Sequence, residues 1–226
     1  MRSDLVEGFL LLALDNSKGT FLIDTIALNH GLAGATLMEL ARLRRIRVED
    51  RRVEGVDDAD TGSPFLNAML QIIHRSGKPG KVRRWVTRLA ARLRKKRQLL
   101  IRQLIDEGTL KAERRMILGL IPHTVYPTVD STREDRIRAR LMATIKGEEN
   151  IDPGYLLLLS LLEATKLTRV LFENRKEYRQ AHRKIQELTR DFEVGNVLRT
   201  TIKEVCSVVI TASTSAVVNA NDKTRG

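Results

Sequence analysis

One cysteine in 226 residues, Cys206, leaves this chain without an intrachain disulfide, and nine aromatic side chains (one Trp, three Tyr, five Phe) are too few to build a core. The first shortage fits a reducing compartment. The second hands the interior to Leu, Ile, Val and Ala. The four histidines, His30, His74, His123 and His182, show no HxxxH, HExxH or CxxC spacing, so no metal site is expected. Cys206 stands among Val205, Val208 and Val209, a setting for a buried hydrophobe rather than for a reactive thiolate. Carboxylate pairs such as Asp57 with Asp58 and Glu148 with Glu149 fall in polar, turn-like segments where a raised pKa is not expected. No catalytic constellation, metal or cofactor is therefore predicted, and the chain reads as a non-enzyme. Long apolar runs are missing too. The longest, Leu156 to Leu162, is broken by Ser160 and followed by Glu163, far short of the ~20 apolar residues of a membrane span.

What is abundant is positive charge. The chain carries 40 Lys and Arg against 28 acids, a net +12, and 28 of the 40 cations are arginine, whose planar fork matches phosphate oxygens. Ten of them (Lys81, Arg83, Arg84, Arg88, Arg92, Arg94, Lys95, Lys96, Arg97 and Arg102) lie between 81 and 102, where there is no acid. The same segment repeats apolar residues at helical spacing, Val82, Trp85, Leu89, Leu93, Leu100 and Leu104. A basic helix anchored by its own apolar stripe holds its cations in a fixed arrangement, suited to a membrane surface or a nucleic acid. Each cation facing an anionic leaflet adds roughly 1 kcal/mol, so four or five give an affinity of about millimolar. Firm residence on a membrane needs a second element, a headgroup pocket, an inserted apolar hairpin or avidity.

Turn and cap signals divide the chain into helices. Asp4 and Glu7 have capping-box spacing before a helix over about 5–14. A region over 21–29 precedes Gly31 and Gly34, and a helix over 35–44 follows. Ile46, Val48 and Val53 suggest a short strand pair, and Ser63 with Pro64 opens a helix. The basic helix stops near Gly108. Residues 116–129, apolar but interrupted by Gly119, Pro122 and Pro127, read as a β-hairpin with exposed aliphatics. Ser131 with Glu134 and Asp152 with Pro153 open two more helices, the second reaching about Phe172, and helices over 177–189 and 194–217 complete the set. Residues 219–226 read as a disordered tail. The prediction is a mainly α fold, one helical domain over 1–218 with a short strand pair and one hydrophobic hairpin.

The ordered motifs Phe9 to Leu14 (FLLLAL), Gly31 to Leu40 (GLAGATLMEL), Thr61 to Leu70 (TGSPFLNAML), Val82 to Leu89 around Trp85, Leu99 to Leu110 (LLIRQLIDEGTL) and Met116 to Val129 (MILGLIPHTVYPTV) together resemble the Golgi phosphoprotein 3 family. The resemblance implies a mostly helical domain with a basic pocket for phosphatidylinositol 4-phosphate and a hydrophobic hairpin for membrane contact or self-association. It implies a peripheral membrane adaptor on the cytoplasmic side, at the Golgi in eukaryotic members. There it binds cytosolic tails of glycosyltransferases and takes part in vesicle trafficking. Of the family pocket, built from one Trp and three Arg, two arginines match Arg94 and Arg97, counted back from Gly108. The pocket Trp would fall near Leu22 to Asp24, where the adjacent Phe21 is the nearest aromatic, and the third arginine is Ala33 here. Trp85 belongs to a different position and is expected to pack in the core. The resemblance therefore assigns Arg94 and Arg97 to the headgroup. Ile117, Leu118, Leu120 and Ile121 become the hairpin residues for insertion or for a homo-oligomer contact. A nucleic-acid binder using helix 81–102 is the alternative, disfavoured by the absence of an aromatic stacking surface and of a recognisable recognition helix with Asn or Gln among the Arg residues.

Overall fold

The computed structural model describes residues 5–117, 121–147, 152–190, 203–212 and 214, and it is mainly helical. Helix α1 (Leu5–Leu12) is buried on every side. It lies against α2 (Thr25–Arg42), the centre of the molecule, which also packs on α4 (Val82–Asp106) and α6 (Pro153–Ala164). Asp24 caps α2, its Oδ1 accepting from the backbone N–H groups of Ile26 and Ala27 at 2.8 and 3.0 Å.

Where sequence chemistry suggested a break at Gly31 and Gly34, α2 runs straight through both. The glycines are contact points. A Cβ at Gly31 would stand 2.1 Å from Phe9 Cζ, and one at Gly34 would stand 2.7 Å from Val205 Cγ1 and 2.9 Å from Leu161 Cδ2. Close approach of α1, α6 and the helix over 203–212 to α2 thus outweighs the ~1 kcal/mol that glycine costs inside a helix.

The expected strand pair exists as β1 (Ile46–Glu49) and β2 (Arg52–Gly55), and β3 (Gly80–Lys81) adds a third antiparallel strand with Arg52 opposite Lys81. Between β2 and β3 lies α3 (Pro64–His74), opened by Pro64 and by Ser63 Oγ, which accepts from Leu66 N–H at 3.4 Å. β3 leads directly into α4, whose predicted stripe is buried at Val82, Trp85, Leu89, Leu93, Leu100 and Leu104. α4 stops at Glu107 and Gly108, the glycine at φ +75°.

The predicted hairpin is β4 (Glu113–Ile117) paired with β5 (Ile121–Val125), in a register that sets Glu113 opposite Val125 and Ile117 opposite Ile121. Leu118 and Leu120 lie outside the described residues, as do 219–226. Helix α5 (Thr132–Lys146) departs from its predicted capping box. Ser131 Oγ donates to Asp135 Oδ2 at 2.7 Å, while Glu134 is buried against Arg138. On α1, Glu7 is held by Arg133 of α5 at 2.5 Å and by Gln103 of α4 at 2.8 Å, which ties three helices through one buried carboxylate.

Helix α6 ends earlier than predicted. Thr165 and Lys166, the latter at φ +59°, stop it, and a 3-10 turn (Thr168–Leu171) follows. Helix α7 (Arg175–Arg190) covers the predicted 177–189 segment, and of the final valine-rich helix the residues 203–212 are described, with Val205 and Val209 fully buried. Among the described residues no helix is long and apolar enough to cross a membrane.

Candidate anion-binding site

The buried stripe of α4 has a gap in it. Leu93 and Leu100 are seven residues apart, two turns, and the residue that should bridge them on the same face is Arg97. Helical geometry therefore turns a guanidinium toward the core side while the other nine cations of 81–102 stay exposed or nearly so. Arg97 is half-buried, its plane 5.1 Å from the Phe21 ring centroid, and its Nη1 donates to Asn29 Oδ1 at 3.4 Å. Its Nε is fully covered and has no hydrogen-bond partner among the described residues. Burial lowers the pKa of this guanidinium from its ordinary value, with Tyr126 acting in the opposite direction. An arginine starts so far above neutrality that it stays charged.

Phe21 reaches this place through the loop between α1 and α2. Asp15 folds the loop on itself, its Oδ1 accepting from the N–H groups of Ser17 and Lys18, and those bonds hold its carboxyl below the usual range. Gly19, at φ +67°, is pressed on the backbone of Tyr126 and Pro127, and Tyr126 N–H donates to Gly19 O at 2.8 Å. Arg115 of β4 donates to the carbonyls of Lys18 and Ser17. Leu22 N–H then donates back to Ala13 O at 2.9 Å, which seats the 13–22 loop beside α4. Asn29 comes from the next turn of α2 and is itself buried.

Arg94, one turn before Arg97 and so its neighbour on the helix surface, is exposed. Neither residue is locked to an acid. Among the described residues none of the ten cations between 81 and 102 is in an ion pair, whereas Arg42, Arg45, Arg133 and Arg138 each hold a carboxylate. An uncompensated row of cations around a half-buried guanidinium favours an external anion, because nothing internal offsets the repulsion.

The predicted site residues thus fall in two places. Arg94 and Arg97 sit together on α4. Ile117 and Ile121 close the hairpin, next to Met116, which is 58 % exposed. Ala33, where the resemblance led one to look for a third arginine, is fully buried and offers no cation. Trp85 is core-packed as expected, at 3 % exposure, with Arg88 over its ring at 4.9 Å. Asn29 and Tyr126 emerge only from the fold, and Phe21, noted in sequence as the aromatic beside the pocket position, is brought to Arg97 by it. The missing beat in the α4 stripe is a sequence signal that could have pointed at Arg97 without help from resemblance.

Cys206 and Asp57 are each held in a local contact. Burial of the Cys206 sulfur pushes its thiol up to about 12, and Sγ donates to Ser160 O at 3.7 Å. A thiol so placed stays protonated near neutral pH and is a poor nucleophile. Asp57 is spent on Arg45, at 2.5 Å.

Comparison with known proteins places the fold in a family. The family model described as Golgi phosphoprotein 3 (GPP34) matches residues 5–205. Vacuolar protein sorting-associated protein 74 of Schizosaccharomyces pombe is 28 % identical over 165 residues, which is 64 % of this chain and 48 % of the relative. The protein of the same name from Eremothecium gossypii is 26 % identical over 190 residues, 74 % of this chain and 56 % of the relative. The chain spans about half the length of these curated relatives. With a family match from the first described helix to the buried Val205, and with the helices and hairpin in the order the motifs require, the chain belongs to the Golgi phosphoprotein 3 (GPP34) family.

Proposed function

We propose that this protein is a peripheral membrane adaptor that binds the anionic headgroup of a phosphoinositide, phosphatidylinositol 4-phosphate, through Arg94 and Arg97. The observation that carries the reading is the Arg97 guanidinium, half-buried between Phe21 and Asn29 with no carboxylate partner among the described residues. An arginine whose Nε is covered and whose Nη1 meets only a neutral amide keeps its charge uncompensated, which supports binding of an anion from outside. Phe21 takes the part of the family's pocket aromatic by stacking on that guanidinium. Exposed Leu22 and Ile26 stand beside it as apolar neighbours.

Family membership supports a place in Golgi-related trafficking, and the name of the two relatives ties those proteins to vacuolar sorting. On this reading the adaptor has no catalytic step. It couples an anionic leaflet to the cytosolic tails of membrane proteins. The hairpin closed by Ile117 and Ile121 supplies either a second membrane contact or the surface of a homo-oligomer. Charge alone gives about millimolar adhesion, so the headgroup contact and one of these two reinforcements act together.

Flotation with phosphatidylcholine vesicles doped with phosphatidylinositol 4-phosphate tests the assignment. Arg94→Ala with Arg97→Ala removes two charge-assisted donors of about 1.5 kcal/mol or more each, so binding at physiological salt should fall at least ~tenfold. Unchanged flotation would remove these residues from the site. A gel shift on nucleic acid tighter than any vesicle binding, with a steep salt slope, would favour the groove-binding alternative.

A further inference from the structure

A second cluster of unpaired cations closes around a pocket at the other end of α4. Arg52 on β2, Lys78 in the loop before β3, and Arg84 and Arg88 on the first turns of α4 line a cavity of about 400 Å³ together with Ser76, Pro79, Gly80 and Trp85. No acid lines it, and none of the four cations is in an ion pair among the described residues. The fold forces them together. Pairing of Arg52 with Lys81 lays β2 against the start of α4, the 76–80 loop is turned by Gly77 at φ +65°, and Arg84 and Arg88 share a helix face at i, i+4.

Two features make this a built pocket rather than a crowded surface. The first turn of α4 receives no side-chain cap, so the positive end of a 25-residue helix adds to the four cations. Trp85 is 3 % exposed, yet its Nε1 has no hydrogen-bond partner among the described residues and faces Gly80, where a Cβ would stand only 2.8 Å away. A buried indole N–H almost always has a partner. Here the donor lies against the lining of a cavity whose charged groups all call for an anion.

We propose that this cavity is a second, independent phosphate-binding pocket, with Arg52, Lys78, Arg84 and Arg88 as its ligands and Trp85 at its base. Four cations in so small a volume select a compact, multiply charged group, a phosphomonoester or pyrophosphate, over a singly charged phosphodiester. Such a group reaches the pocket either on a lipid headgroup or as a free small phosphate. The pocket and the Arg94–Arg97 site share no residue. About 13 Å of helix separates Arg88 from Arg97, and their nine-residue spacing, two and a half turns, sets them on opposite sides of α4.

Trp85 is the one tryptophan of the chain, so its fluorescence reports on this pocket alone. Titration of the full chain with inorganic pyrophosphate should give a saturable change in emission. Arg84→Ala with Arg88→Ala should weaken it at least ~tenfold, as should Arg52→Ala with Lys78→Ala, which leaves the Arg88–Trp85 stack in place. Arg94→Ala with Arg97→Ala should leave the titration unchanged. Calorimetry on the same samples guards against a purely optical effect of losing Arg88. Vesicles doped with phosphatidylinositol 4-phosphate form the lipid arm. A matching emission change there assigns the pocket to a lipid, and a response to pyrophosphate alone assigns it to a free phosphate. Absence of a saturable response, or a response indifferent to both pocket variants or lost with Arg94 and Arg97, would overturn the proposal.

Discussion

Replacement of Arg97 by leucine should make the protein more stable and bind membranes less. Position 97 occupies the inward face of α4 between Leu93 and Leu100, both of which are fully buried or nearly so. A leucine there completes the apolar stripe, removes the covered Nε that has no partner, and forfeits only the stack on Phe21 and a long bond to Asn29. An orphaned buried donor costs about 1–3 kcal/mol and a partly exposed cation–π contact returns roughly 0.5–1 kcal/mol. The net expectation is a gain of about 1 kcal/mol, or a melting temperature higher by ~2–4 °C for a chain of this size. Binding to vesicles containing phosphatidylinositol 4-phosphate should meanwhile drop at least ~tenfold. Arg97→Lys keeps the charge but loses the planar fork and the stack, and should fall between the two. Thermal melts and flotation on the same three proteins decide it. If leucine destabilises the fold, Arg97 is a structural residue and its lack of an acidic partner has no bearing on ligands.

A large loss of stability from a single methyl group should come at Gly31. Its missing Cβ would stand 2.1 Å from Cζ and 2.6 Å from Cε1 of Phe9, a ring with no exposure, wedged between α1 and α2. The ring cannot rotate out of an interior packed at crystal-like density, so Gly31→Ala must spread the two helices. Overpacking of this kind costs about 3 kcal/mol, against which the better helix propensity of alanine returns about 1. A melting temperature lower by ~4–8 °C is expected. Phe9→Leu destabilises the core by itself, yet it should recover part of the Gly31→Ala loss when the two are combined, because the clash is then relieved. A double-mutant cycle with no coupling would show that the two residues do not touch as described.

These two positions also mark what could be read from the chain and what could not. The stripe of α4, the Ser63–Pro64 opening of α3 and the Asp152–Pro153 opening of α6 follow from local rules of periodicity and capping, and the fold bears them out. Glycine carries two opposed meanings, helix breaker and close-packing site, and only the ring of Phe9, more than twenty residues away, decides between them at Gly31. The end of α6 was misplaced because apolar residues continue to Phe172, while the turn at Lys166 depends on a left-handed backbone that composition does not announce.

The same division holds at the site. Arg94 and Arg97 came from resemblance, and the interrupted stripe supplied a physical reason for Arg97. Asn29 and Tyr126 stayed invisible, and Phe21 was legible only as the aromatic beside the family's pocket position. The Asn29 to Arg97 contact joins positions 68 residues apart, and Phe21 arrives only because Gly19 is clamped on the backbone of residues 126 and 127. The basic run seemed to be one feature in sequence. In the fold it divides, with Arg84 and Arg88 facing a pocket at the start of α4 and Arg97 turned inward near its middle.

Headgroup binding requires an anion shared by the guanidinium groups at 94 and 97. The most direct measurement is nuclear magnetic resonance of the arginine Nε–Hε groups in the full chain, titrated with soluble inositol 1,4-bisphosphate as the headgroup. The Arg94 and Arg97 signals should shift together, with one saturating curve, and the Arg97 signal should lose its shift in the Phe21→Ala protein. If Arg94 and Arg97 remain still while the headgroup shifts other arginines, the proposed site is wrong.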